Sequence, residues 1–259
     1  MSLLRIWVVA TNVFKEVIRD RVLYLTGLYA VLLFAAAALL PSVAANAQDK
    51  IILDIGLAGI HLMGLVVTVF VGTSLINKEI EKRTVLVLIA KPVSRLEFIL
   101  GKHLGLSGVL AVLLGGLTAI YFGVLALNQI EFTGFSLLLA IFYTFVELML
   151  LTAAALLFGV FTSSLLATLF TIGVYLMGHL SQDIVAFGQL TDSALFQRVT
   201  NGMYLVLPDL ERLNLRNEAV YGTALFPAPP ELIGDLLYGL LYTALLLTVA
   251  VFIFARRQF

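Results

Sequence analysis

The chain has 259 residues, of which 61% are apolar and 12% charged. Soluble domains carry about a quarter of their residues as charged side chains, so this composition excludes a soluble globular protein and requires a lipid-embedded one. Sixteen Lys and Arg balance sixteen Asp and Glu, which excludes the overall basic field of a nucleic-acid-binding protein; the absence of Cys excludes disulfides, thiolate metal sites and Cys nucleophiles.

The first element is a helical stripe. From Ser2 to Asp20, Leu3, Ile6, Trp7, Ala10, Val13, Phe14, Val17 and Ile18 recur at helical spacing, with Lys15, Glu16, Arg19 and Asp20 gathered at the far end. Residues 1–21 are too polar to span. They read as an interfacial elbow helix with Trp7 at headgroup depth, or as a continuation of the first span bent at the surface. Arg5, Lys15, Arg19 and Arg21 precede a long apolar run with no cleavage site behind it, so no secretory signal is expected.

Six stretches then approach the length of about 20 residues that a helix needs to cross a bilayer. They are Val22–Leu40, Ile55–Ile76, Leu104–Leu127, Phe135–Phe161, Ser163–Leu180 and Leu232–Ala255. The fourth and fifth are nearly continuous, and Phe161-Thr-Ser-Ser-Leu165 is the break between them. The expected fold is an all-α polytopic membrane protein with six transmembrane helices, forming a single domain over residues 1–259.

Between the second and third spans, residues 77–102 are too elaborate for a plain linker. Asn77 is followed by a charged face of Glu79, Glu81, Lys82 and Arg83, and Thr84 to Ala90 supply an apolar body. Pro92 disfavours helix at Lys91, and Ser94 with Glu97 forms a Ser-x-x-Glu capping box leading into span three. An amphipathic helix, a stiff turn and a transmembrane helix in that order make a lever. A helix laid in a partner's groove is a recurrent recognition mode. At the start of span three, Gly101-x3-Gly105 and Gly108 permit close approach of another helix, from the same chain or from a second copy.

Glu147 sits near the middle of span four, where a carboxylate costs roughly 2.5–3.5 kcal/mol unless it is paired, protonated or facing water. It either lines a polar pathway, coupling to protons, or locks helix packing against Tyr143, Thr144 or another span. Asp54, His61, His179 and Asp235 lie near span ends, where snorkelling to the interface accounts for them. Residues 181–231 form the one large segment outside the spans. Leu190, Leu195, Phe196, Val199, Met203, Tyr204 and Leu207 suggest short amphipathic helices over the mouth of the bundle, serving as a gate or as a passive lid. The Pro-rich Phe226-Pro-Ala-Pro-Pro230 closes the segment.

Charge placement orients the chain. Twelve of the sixteen cations flank one side, in the amino-terminal segment, the 77–102 connection and the carboxyl end, so both termini are expected in the cytoplasm and residues 181–231 outside. Enzyme motifs fail. The only Gly-Lys pair, Gly101-Lys102, has Leu96 and His103 where a phosphate-binding loop needs Gly and Ser or Thr, so ATP is not expected on this chain. His61, His103 and His179 fall in different segments without ligand spacing, which argues against a metal centre, and no nucleophile elbow occurs.

The residues Glu79-x4-Thr84, Leu88-Ile-Ala-Lys-Pro-Val-Ser-Arg95 and Phe98-Ile-Leu-Gly-Lys102 resemble the signature between the second and third spans of ABC-2 type permeases. These are the membrane subunits of ATP-binding cassette transporters. The segment Phe14-Lys-Glu-Val-Ile-Arg-Asp-Arg-Val-Leu23 and the six-span layout extend the resemblance over the chain. It implies a non-catalytic subunit, two of which, in a homodimer, pair in a prokaryotic inner membrane with two cytoplasmic ATPases that hold ATP and Mg. It further implies that residues 77–90 form the coupling helix, with Glu79, Glu81, Lys82, Arg83, Thr84, Pro92 and Arg95 transmitting motion, and that the transporter is an exporter. Many drug and polysaccharide exporters of this kind carry Gly just before the Thr. Arg83 stands there here, which is similar to the branch containing the nitrous-oxide reductase maturation permease. The rival readings are an ion-coupled secondary carrier using Glu147, and a membrane scaffold or assembly factor that recruits a cytoplasmic partner.

Overall fold

The computed structural model describes residues 2–20, 22–40, 47–81, 94–189 and 194–256. Among these there are ten α-helices and no strands. They are α1 (Leu3–Arg19), α2 (Tyr24–Leu39), α3 (Gln48–Glu81), α4 (Arg95–Leu127), α5 (Gly134–Phe161), α6 (Ser164–His179), α7 (Ser181–Gln189), α8 (Ala194–Val206), α9 (Arg216–Tyr221) and α10 (Pro229–Arg256). The predicted all-α membrane architecture is the one observed. Four helices, α3, α4, α5 and α10, are each long and apolar enough to cross a bilayer. The pairs α1 with α2 and α6 with α7 reach that length only together, bent by 52° and 58°. With 16 residues each, α2 and α6 rise about 24 Å, short of a hydrocarbon core of about 30 Å.

The boundaries follow local chemistry. At the start of α4, Ser94 Oγ accepts from the Glu97 amide at 3.2 Å and Glu97 Oε2 accepts from the Ser94 amide at 2.9 Å. The predicted capping box is therefore formed, and it starts a 33-residue helix. The second span is longer than the hydropathy window suggests. Helix α3 begins at Gln48, seven residues ahead of the predicted Ile55, and this shift carries His61 away from the span end.

Packing centres on α4 and α5. Leu106, Leu110, Leu113 and Leu117 of α4 are fully buried, as are Leu148, Leu150, Leu151 and Leu156 of α5. With lipid as solvent, close van der Waals fit rather than expulsion of water holds such helices together, and small residues decide where they approach. The stripe of α1 packs on α4 at the three predicted glycines. A Cβ on Gly101 would lie 2.6 Å from Val9 Cβ, and one on Gly105 would lie 2.7 Å from the Ala10 carbonyl oxygen. The glycine seam is thus an intra-chain contact. Hydroxyls are absorbed within the bundle: Thr118, Thr152, Thr171 and Thr243 each donate to the carbonyl four residues earlier, at 2.7–2.8 Å.

The segment after α6 does more than lie across the bundle mouth. Leu210, Leu213, Leu215 and Ala219 belong to the buried core, and the Leu210 amide donates to the Gly178 carbonyl at 3.1 Å. Asp209, itself buried, accepts from Gln182 Nε2 at 3.1 Å, Tyr204 OH at 3.2 Å and Arg212 Nε at 3.2 Å. Its amide donates to Tyr238 OH at 2.8 Å. Asp209 therefore ties α7 and α8 through its carboxylate and α10 through its amide. The expected lid is a plug whose apolar side chains enter the bundle.

Candidate functional site

Two polar clusters stand at different depths. The first lies at the end of the bundle where α1 starts, α3 ends, α4 starts and α10 ends. Glu97, buried in the first turn of α4, accepts from the Ser2 amide at 2.7 Å as well as from Ser94, and Arg5 lies 3.9 Å from its other oxygen. One carboxylate therefore anchors the beginnings of α1 and α4. Arg95 Nη1 donates to the Phe254 carbonyl at 2.9 Å and also to the Ala255 carbonyl, the last turn of α10. A cation at a helix carboxyl end also meets the negative pole of its dipole.

The same end holds an ion pair between Lys102 of α4 and Glu79 of α3, with the lysine 5% and the glutamate 23% exposed. The Lys102 ammonium also lies 5.5 Å from the centre of the Phe98 ring, which stacks on Phe254 at 5.5 Å. Glu79, expected on a charged face toward a partner, is turned toward α4 instead. Burial explains this: Lys102, with its ammonium among apolar rings, requires a counter-charge. By contrast Lys78 and Asp20, 4.0 Å apart and both more than half exposed, form a surface pair worth little. Glu81 closes α3, while Lys82, Arg83, Thr84 and Pro92 lie outside the described residues.

The second cluster surrounds Glu147, which is fully buried on α5. His61 of α3 and His179 of α6 place their Nε2 atoms 3.0 and 2.9 Å from the same oxygen, Oε1. His179 Nδ1 lies 3.0 Å from Glu211 Oε2, and Asn214 Nδ2 donates to the other Glu211 oxygen at 3.0 Å. Glu211 lies outside the spans, and its carboxyl is held below the ordinary carboxylate range first by the His179 hydrogen bond, then by Asn214 and the charges of His179 and Arg216. The Tyr175 ring packs against both imidazoles, with centres 4.8 Å from His179 and 5.6 Å from His61.

Sequence reasoning singled out Glu147 but not its partners. His61 and His179 were expected to snorkel; instead they are 3% and 16% exposed and point inward. The longer α3 buries His61, and the plug covers the end of α6 that carries His179. Tyr143, expected as a partner, donates to the Leu232 carbonyl at 2.6 Å. One signal was available: ionisable groups in apolar spans seek one another, and these three belong to three different spans.

The described helices form an apolar bundle with one buried ionisable cluster and a second polar cluster at one end, and comparison with known families assigns the chain. The family model described as ABC-2 family transporter protein matches residues 7–259. The chain belongs to this family. The ABC-2 transporter is accordingly a multi-pass membrane protein and the permease subunit of an ABC transporter, a class that works with an ABC ATPase. No curated protein matches it. Within an ABC-2 transporter the first cluster borders the segment that resembles a coupling helix, and the second lies deeper in the bundle.

Proposed function

We propose that this ABC-2 permease is one of two identical subunits of an exporter in a prokaryotic inner membrane, with both termini cytoplasmic. Residues 77–90 dock on a separate cytoplasmic ATPase, which binds ATP and Mg, and the permease itself is not catalytic. The observation that carries this reading is the clamp at the ends of the coupling segment. Glu79 on its near side is paired with Lys102, and on its far side Arg95 holds α10 while Glu97 holds α1. Motion imposed on residues 82–93 therefore reaches four helices, α1, α3, α4 and α10, through short polar links. The twelve cations of the flanking segments support a cytoplasmic position for that end.

The test is isolation of the full chain from its native membrane in mild detergent. A Walker-motif ATPase should accompany it in equal amount. Lys82→Glu combined with Arg83→Glu should remove the ATPase and leave the permease melting profile unchanged. A permease isolated with no ATPase, or a double variant that still retains it, would overturn the docking assignment.

A further inference from the structure

The geometry points to a binding site for one divalent transition-metal ion at His61, Glu147 and His179. The donor atoms of these three side chains all lie within 4.8 Å of one another, and two of the three residues are fully buried. A tetrahedral ion with ligands at 2.0–2.1 Å needs donors about 3.3 Å apart. The Nε2 to Oε1 separations of 3.0 and 2.9 Å open to that value with shifts of a few tenths of an ångström.

The pattern is one of convergence. The polar atoms of a buried carboxylate are ordinarily hydrogen-bonded. Here both imidazoles face Oε1, while the buried Oε2 has no hydrogen-bond partner among the described residues. The outer contact of His179 has the form found around metal ligands. Its second ring nitrogen, Nδ1, faces the Glu211 carboxylate at 3.0 Å, and Glu211 is in turn held by Asn214. Ligating histidines nearly always donate their other N–H to such a carboxylate, which fixes the tautomer and leaves Nε2 for the ion. Tyr175 supplies an apolar wall beside both rings.

Ligand chemistry selects the ion. Two imidazoles and one carboxylate suit zinc and its neighbours in the first transition row, whereas calcium and magnesium need six or more oxygens. A soft monovalent ion favours thiolate or thioether ligands, which these three side chains do not offer. The ion would join α3, α5 and α6, with Glu211 of the plug in the outer shell. This site is independent of the ATPase assignment, because its ligands lie away from residues 77–102.

The test uses the tag-free, full-length chain in detergent, stripped with chelator and titrated with Zn²⁺ against a chromophoric competitor. One ion per chain is expected, and Co²⁺ in its place should show the visible absorption of a four-coordinate centre. His61→Gln and Glu147→Gln should weaken binding more than 100-fold. Glu211→Gln, which alters only the outer shell, should weaken it about 10- to 100-fold, and His103→Gln should have no effect. Absence of stoichiometric Zn²⁺ uptake by the parent chain overturns the site, as does equal uptake by His61→Gln and Glu147→Gln proteins that elute and melt like the parent. Should those variants fail to fold, X-ray absorption on the Co²⁺-loaded parent decides: two imidazole nitrogens support the site, and all-oxygen coordination overturns it.

Discussion

The seam between α1 and α4 offers a test with its own control. Replacing Gly105 by Val places a Cβ 2.7 Å from both the Ala10 carbonyl oxygen and Val13 Cβ, with two further methyls beyond it. Carbon atoms settle at about 3.5–4.0 Å, so the helices must part by roughly 1 Å. Overpacking of this kind costs about 1–3 kcal/mol, which raises the population of the opened seam about 5- to 150-fold. Because the chain has no Cys, Val17→Cys introduces a single thiol one turn along the same face, at a position 2% exposed. Its labelling rate with a maleimide reports the opened population. The expected result is labelling accelerated by that factor in Gly105→Val over the otherwise identical parent. Gly123→Ala, on the same helix with no atom within 4 Å of its added Cβ, should leave the rate unchanged. Equal rates for Gly105→Val and the parent would refute the claim that glycine spacing sets the position of α1.

The clamp makes two further predictions. Lys102→Ala removes the buried counter-charge of Glu79 and should lower stability by about 3 kcal/mol, whereas Lys102→Met with Glu79→Gln removes both charges and should restore most of the loss. A thermal melt followed by light scattering in detergent reads the difference, and a double variant less stable than Lys102→Ala would contradict the pairing. Glu97→Ala removes the acceptor shared by the Ser2 and Ser94 amides and should cost about 1–2 kcal/mol as a lost cap. Hydrogen exchange should then quicken together at the starts of α1 and α4; a response confined to α4 would show that Glu97 does not bridge the two.

What was legible in the sequence follows periodicity and local chemistry. Long apolar runs placed α3, α4, α5 and α10, and the Ser94–Glu97 box and the 101, 105, 108 glycines worked as local rules predict, because each depends on residues within a few turns. The plug reads in the sequence as a gate or lid over the mouth because its polar residues, Asp209, Glu211, Arg212 and Asn214, mask the core leucines Leu210 and Leu213 between them and Leu215 just beyond. His61, Glu147 and His179 are separated by 86 and 32 positions. No spacing rule reaches across three helices whose relative rotation is set by packing. The resemblance in residues 79–102 carried the family assignment, and the match over residues 7–259 agrees with it.

The two polar clusters share one element. Helix α3 carries Glu79 in the clamp and His61 in the buried site, 18 residues and so about 27 Å apart along its axis. It packs on α5 without slack: a Cβ on Gly72 would lie 3.0 Å from Ala155 Cβ, and one on Gly159 would lie 3.2 Å from the Thr73 carbonyl oxygen. Close-packed helices of this kind shift as a unit rather than past one another. A displacement entering at Glu79 therefore carries Glu147 along with His61. Helix α6 meets α3 at the Thr73–Thr168 hydroxyl pair, 3.0 Å apart, and at Tyr175 and His179, whose rings face His61, and its His179 is held from the other side by Glu211 of the plug. His179 is therefore the side chain at which α3, α5 and the plug meet, through His61, Glu147 and Glu211.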